Sequence, residues 1–597
     1  MAEGAFQDQL LFYLQDEFLQ KKNEGGWNEI SDPEVRAYCD VLSRAIRSDA
    51  PMPLQDIIER YQHLFGQRGP VHLEQQILEA FPDREMQRLQ LAPLRIHRGL
   101  PRQYLRTQIG FSKIKPKFSQ LTSLKKTAAA RFIYSLYQFQ PVPSDAKVVI
   151  LTWVMPDGLG DYFASIESAR LIQTAFPYLD IRLFIIGEQK LPVIDGLTID
   201  RYCGSPEQLR QLRKCDLILQ MPTYYPRTES LMRDVESIID PSPQPKWECL
   251  GQYGFVDSDW FHPQSTSHCM GLHFLEKGIL LRTSPPPSIL DLEHTGLSEW
   301  LFEQLKPSSQ TIDLYRNGNR FFLAYLYSQP GMTVYLHALC KSLEHDAKNI
   351  DVCLPDAARL LAYIQQRHQE NNGPVEKGYG IQRVVLQIGT HMAVWNLAPK
   401  GKTLRLLCPE QLTSEDFQRL LAFSENFVAC RGDQSFSEAV SQNKCYFYDP
   451  RDHSRYFVKD LIALGANRIP QHRSTIEILR LFGKLLEHQL PPDENDWIDE
   501  IGIQRQETMD LFEIGESMGR LLQESDTFIG FRKLNRILRE EYCCNGLIVQ
   551  MVQRAVCHRR HIESEKFEKE CLARFIHGQT SISQIVSSLQ SHLLGLK

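Results

Sequence analysis

The feature that most constrains this chain is an alternation of short, β-branched apolar runs with helical stretches, repeated in two series. KVVILTWV (147–154) leads through a glycine-containing loop into the helical SIESARLIQTAF, and DIRLFIIG and CDLILQMP (Cys215–Pro222) extend the pattern. The second series runs through RFFLAYLY (Arg320–Tyr327), NIDVCLP, RVVLQIG, TLRLLCP and NFVAC, with helical segments such as TSEDFQRLLAF between them. A strand covered on both faces reads as a continuous apolar run, and reaching a parallel neighbour requires a crossover, usually a helix. Two such series predict an α/β chain with two Rossmann-like domains. The length of 597 residues agrees, because one hydrophobic core does not organise so many.

Outside the series the period is helical. Apolar residues recur three and four apart in AFQDQLLFYLQDEFL and in PLQDIIERYQHLF, where Pro53 suits a first helical turn. PVPSD reads as a linker, and Pro285, Pro286 and Pro287 mark a second boundary. The expected organisation is a helical region over 1–144, Rossmann-like domains over 145–315 and 316–490, and a helical region over 491–597. The amphipathic stretches ETMDLFEIGESMGRLL and SISQIVSSLQSHLL in that last region are free to pack back across the domains.

The formal charge of -6 argues against a dedicated nucleic-acid binder, although it averages over one basic stretch. No acid occurs between Glu85 and Asp145, where Arg95, Arg98, Arg102, Arg106, Lys113, Lys115, Lys117, Lys125, Lys126 and Arg131 all fall. A solvated helical face, or a dock for the acidic remainder, is the plain reading; contact with an anionic membrane or partner through 95–131 is the functional one. Fourteen scattered cysteines without a CxxC pair fit a reducing compartment. The opening residues carry acids where a signal peptide carries bases, and no run of about eighteen apolar residues occurs, so a cytoplasmic location is expected.

The loop in VMPDGLGDYFAS sits at the carboxyl end of the first strand, where a doubly wound sheet places ligand chemistry. Gly158 and Gly160 permit a tight turn, and the amides of the following helix can face an anion. The loop is not the GxGxxG of dinucleotide folds. Asp161 has two readings at the same place: cap of the helix that follows, or a carboxylate that takes the proton of an incoming nucleophile.

A comparable helix start follows NFVAC. Gly432 opens the turn, Ser435 and Ser437 lie at the head of SFSEAVSQ, Arg431 offers a fork matched to phosphate oxygens, and Glu438 can accept sugar or ribose hydroxyls. Such a start can hold a diphosphate without a metal.

NFVACRGDQSF resembles the nucleotide-binding half of GT-B glycosyltransferases, and bacterial protein-arginine rhamnosyltransferases in particular, through Arg431, Gly432, Asp433, Ser435 and Phe436. NKCYFYDPRDHSRYF continues the likeness, and GLGD (Gly158–Asp161) is similar to the Gly-Asp loops of that family and of heptosyltransferases, in which the aspartate is the base. The chain departs from the motif at Ala429, Cys430 and Gln434. The resemblance implies a GT-B enzyme, with the acceptor on the first domain and a nucleotide sugar on the second. The donor residues would be Arg431, Gly432, Asp433, Ser435, Phe436, Ser437 and Glu438. Asp161 would be the base, transfer would invert, no metal or other cofactor would be needed, and a protein is among the acceptors it allows. A nucleotide-sugar epimerase or hydrolase, and a non-catalytic scaffold with degenerate Rossmann domains, are the rival readings.

Other signals carry less. Asp257 and Asp259 form a DxD, the metal-diphosphate ligand of the other large glycosyltransferase fold, but among aromatics rather than after a buried strand. His268 could line the acceptor side, though a core or surface histidine is the plainer reading. Cys557, His558 and His561 share a helical stretch near Cys543 and Cys544, where the neighbours Arg559 and Arg560 favour an ordinary solvated helix over zinc. Neither a Walker A loop nor a GxSxG elbow occurs.

Overall fold

The computed structural model describes Tyr134, Tyr137, 140–154, 160–186, 191, 196–201, 206–221, 245–251, 253, 266–272, 278–282, 312–326, 328–355, 378–388, 391–409, 412–451, 454–489, 509–576, 579–580 and 582–595. The helical expectation for 1–144, the basic stretch 95–131, Gly158, Asp257, Asp259 and the boundary at Pro285–Pro287 lie outside the described residues, in whole or nearly so.

The first series forms β1 (Lys147–Trp153), α1 (Gly160–Ala175), β2 (Asp180–Ile186), β3 (Thr198–Arg201), α2 (Pro206–Leu212), β4 (Leu217–Gln220), β5 (Lys246–Gly251) and β6 (Thr266–Cys269). All strand pairs are parallel, in the order β3-β2-β1-β4-β5-β6, the doubly wound Rossmann order. Val148 to Leu151 are buried on both faces because β1 is central, which is why this stretch is a continuous apolar run.

The second series forms α3 (Ile312–Gly318), β7 (Asn319–Leu323), α4 (Gln329–Ser342), β8 (Asn349–Cys353), β9 (Ile381–Ile388), β10 (His391–Asn396) and β11 (Lys402–Cys408). It continues with α5 (Ser414–Phe423), β12 (Phe427–Cys430), α6 (Asp433–Ser441), β13 (Cys445–Tyr448), α7 (Arg455–Arg468) and α8 (Arg473–Glu487). The strands run β10-β9-β11-β8-β7, and a parallel bridge between Ala324 and Ala429 sets the β12–β13 pair beside β7. All these pairs are parallel except β10 with β9, a hairpin added at the edge. The expected architecture of two Rossmann-like domains is therefore present.

The carboxyl-terminal helices α9 (Leu511–Leu522), α10 (Ser525–Glu541), α11 (Asn545–Arg560), α12 (Ile562–Ile576) and α13 (Ile582–Gly595) wrap back over both sheets. A capping box between Asp510 and Glu513 starts α9, which lies along α4. Gly515 and Gly519 permit that approach, since a Cβ there would stand 2.7 Å from His337 Cβ and 2.5 Å from Lys341 Cβ. Next, α10 packs on α6, α8 and β13, and α11 returns to the first domain against α1, β4 and β5.

The return passes beside the segment 278–282. Ile279 N donates to Tyr542 O at 2.6 Å, Cys544 N donates to Ile279 O at 2.9 Å, and the Asn545 amide bonds both N and O of Leu281, at 2.9 and 2.8 Å. Gly278 has φ +97°, and a Cβ on it would lie 2.1 Å from Tyr542 O, so this close approach requires glycine.

Candidate functional site

Each sheet changes winding direction at one place, and a ligand site on such a sheet forms at the carboxyl ends of the strands there. In the first sheet that place lies between β1 and β4, where α1 begins; in the second it lies between β7 and β12, where α6 begins. The two helices pack against each other. Among the described residues, a Cβ added at Gly160 or at Gly432, in the openings of α1 and α6, would meet nothing within 4 Å.

At the second opening, Gly432 is the extended residue before α6. The Ser435 hydroxyl closes the turn: it accepts from Arg431 N at 3.0 Å and Gly432 N at 3.2 Å, and donates to Gly432 O at 3.0 Å. It is thereby committed to the turn. The Arg431 guanidinium lies over the Tyr325 ring, 5.0 Å from its centroid, joining the ends of β12 and β7. Phe436, one of the donor residues expected from the sequence, points away from the opening. It is fully buried, edge-on to Tyr446, Tyr448 and Phe457.

The outer face of α6 meets the first domain. Asp433 Oδ2 accepts from Tyr253 N at 2.9 Å, the Ser437 hydroxyl lies 2.5 Å from the Tyr253 phenol oxygen, and Ser441 Oγ accepts from Arg282 N at 3.2 Å. The Tyr253 phenol also accepts from Leu280 N at 3.1 Å, and its ring packs on Phe457. Burial raises the phenol far above its ordinary value, so Tyr253 remains a donor. Asp433 and Ser437 thus serve the contact between domains.

Glu438 is buried. Gln434 Nε2 donates to its Oε1 at 3.2 Å, and Arg282 Nη1 stands 3.9 Å away. Burial pushes its carboxyl up to about 7 against the pull of Gln434 and Arg282, and Glu167 on α1 adds a repulsion. Burial likewise pushes Asp433 up to about 7, opposed by the Tyr253 amide and by Arg451. Glu167 is itself buried and lies 3.5 Å from Arg170. Asp161 is the second residue of α1, half-buried, and its carbonyl accepts from the Ser165 hydroxyl at 2.8 Å.

Sequence reasoning missed Tyr253, Arg282 and Tyr325. Each reaches the turn or α6 from a segment distant in the chain, which no local period records.

The histidine and cysteine cluster also reads differently. Cys557 and His558 are buried in α11 against the first sheet, while His561 is exposed, so this is not the solvated helix that Arg559 and Arg560 suggested. His558 Nε2 is 2.8 Å from the Tyr137 phenol and 3.1 Å from Glu568. Among the described residues no three His, Cys, Asp or Glu side chains come together as metal ligands do. No helix among them is long and apolar enough to cross a membrane.

No family model matches the chain, and no curated protein matches it. Several solved structures are similar. One is an alpha-glucosyltransferase (AGT) in complex with UDP, at 12% identity and TM-score 0.32, covering 66% of this chain and 100% of that one. Another is WaaG, a glycosyltransferase involved in lipopolysaccharide biosynthesis, at 8% identity and TM-score 0.34, covering 68% and 99%. A third is the spinosyn rhamnosyltransferase SpnG, at 10% identity and TM-score 0.30, covering 68% and 99%. Likeness this distant carries no argument about residues or activity, and the architecture stands on the strand order alone.

Proposed function

We propose that the chain is a glycosyltransferase of the GT-B kind that moves a sugar from a nucleotide-sugar donor to an acceptor, with inversion and without a metal. The observation that carries the reading is the pairing of the two helix openings. Gly160 and Gly432, which no described residue crowds, stand at the switch points of the two sheets, at the starts of the helices α1 and α6 that touch each other. In this reading the diphosphate lies against the start of α6, where the first backbone amides of a helix attract an anion, and Arg431 adds a fixed positive charge. Glu438, in its neutral form, can donate to as well as accept from donor hydroxyls. Asp433, Ser435 and Ser437 shape the turn and hold the first domain against it.

Asp161 then takes the acceptor proton as the acceptor heteroatom bonds to the anomeric carbon, and the bond from that carbon to the diphosphate oxygen breaks on the opposite face. The negative charge left on the diphosphate is met by helix amides and Arg431, preorganised electrostatics of the sort that carries much of such a rate. The test is a thermal-shift screen of nucleotide sugars with and without EDTA, since a ligand of the folded state raises Tm. One nucleotide sugar should stabilise the protein equally in both. If none does, the reading falls; if stabilisation and turnover both need manganese, metal independence falls.

A further inference from the structure

Several exposed arginines on the helices of this protein meet an acid within one turn: Arg210 meets Glu207 at 2.7 Å, Arg480 meets Glu477 at 2.5 Å and Arg520 meets Glu516 at 3.3 Å. The helix α10 gathers three that do not. Ile529, Arg532, Lys533, Arg536 and Arg539 each lie three or four residues from another of the set, which places them on one stripe of helix surface. Ile529 is 53% exposed, the three arginines are exposed, and Lys533 is half-buried. Among the described residues, no acid pairs with any of the four cations.

The acids near the stripe are committed elsewhere. Asp526 meets His472 at 2.7 Å, Glu541 holds Arg468 at 2.6 Å, and Glu524 accepts from the Ser474 hydroxyl, which leaves Glu540 at one end. The helix beneath is firmly seated. Phe531, Leu534 and Leu538 are buried, the Asn535 amide donates to Lys444 O at 2.7 Å, and a Cβ at Gly530 would stand 2.0 Å from Thr475 Oγ1. The charges are therefore carried on a rigid support directly behind α6.

We propose that this stripe of α10 docks the second domain on the surface of an anionic lipid bilayer. A row of cations beside an exposed isoleucine matches phosphate headgroups above an apolar interior, as on interfacial helices. Nucleic acid fits less well, because the chain is net acidic and the stripe carries no exposed aromatic to stack on bases. The inference is independent of the proposed transferase activity and of the basic stretch 95–131.

The experiment is vesicle sedimentation of the full chain with phosphatidylglycerol–phosphatidylcholine vesicles, pure phosphatidylcholine vesicles and a structured RNA. It compares wild type, Arg532→Gln/Arg536→Gln/Arg539→Gln and Ile529→Ala, with melting curves as the folding control. Wild type should pellet with the anionic vesicles only and be released by roughly 0.5 M salt, which screens such contacts. At about five-fold per cation near an anionic surface, the triple variant should lose on the order of a hundred-fold in partition. Ile529→Ala should lose a few-fold. Absence of wild-type pelleting, or equal pelleting of wild type and the folded triple variant, overturns the proposal. RNA binding that falls in the triple variant while vesicle binding does not would give the stripe to nucleic acid instead.

Discussion

The side-chain amide of Asn545 clasps the backbone of Leu281 from both sides, taking its N–H at 2.9 Å and giving to its carbonyl at 2.8 Å. These residues sit where the chain returns from the second domain to the first, beside the segment that precedes the second domain. Asn545→Ala should cost about 1–3 kcal/mol, because two backbone groups lose their partner. Gly278→Ala should cost more, since it adds a positive-φ strain to an overlap with Tyr542 O. Denaturant unfolding read by two probes checks both. A folded Gly278→Ala protein as stable as wild type would remove the close approach from the account.

Stability should fall as pH rises from about 4 to about 7, through Asp433 and Glu438. Their folded carboxyls titrate near 7, above the ordinary values of 3.8 and 4.5, so between these limits the folded state binds protons that the unfolded state has released. Each group contributes at most about 1.4 kcal/mol per pH unit, with no further change above about 7. Glu568 is held well below the ordinary range by Arg554 and His558 despite its burial, and its window lies below this one. Denaturation midpoints at several pH values should show a slope that Asp433→Asn/Glu438→Gln flattens; an unchanged slope would refute the assignment.

Arg554 ties four elements together. It meets Glu248 of β5 and Glu568 of α12 at 2.6 Å each, and lies over the Tyr134 ring at 4.7 Å; the Tyr137 phenol donates to Glu568 at 2.9 Å. Arg554→Ala should cost about 3–5 kcal/mol, because it removes the guanidinium that two buried carboxylates share. Tyr134→Phe/Tyr137→Phe should leave the sheets intact while speeding proteolysis before Val142. Limited proteolysis followed by mass spectrometry distinguishes this from global loosening.

Within the proposed activity, Arg431→Ala should weaken donor binding by about 1.5–3 kcal/mol, the range for a charged hydrogen bond, as read by calorimetry. Asp161→Asn should keep the melting temperature and donor affinity while lowering turnover roughly 10²–10⁴-fold, the usual contribution of a general base. Turnover within a few-fold of wild type would return Asp161 to helix capping and pass the search to Glu167.

The alternation of β1, α1, β2 and β4, the runs of β7, β8, β9, β11, β12 and β13, and the helix opening at Gly432 were all written in the sequence. Burial on both faces of a central strand and one-face burial of a crossover helix impose periods of a few residues, which local reading recovers. The edge strand β10 and the short β3, β5 and β6 left no comparable run. Tertiary structure alone decided which side of α6 is covered. SFSEAVSQ offers Ser435, Phe436, Ser437 and Glu438 in succession, and nothing local says that Phe436 enters an aromatic core or that Ser437 meets a phenol 184 residues away. The clasp of Asn545 on Leu281 and the Arg554 network arise in the same way. Their partners lie 264 or more residues apart for Leu281, Glu248 and Tyr134, so the pairings exist only once both sheets and the returning helices have packed.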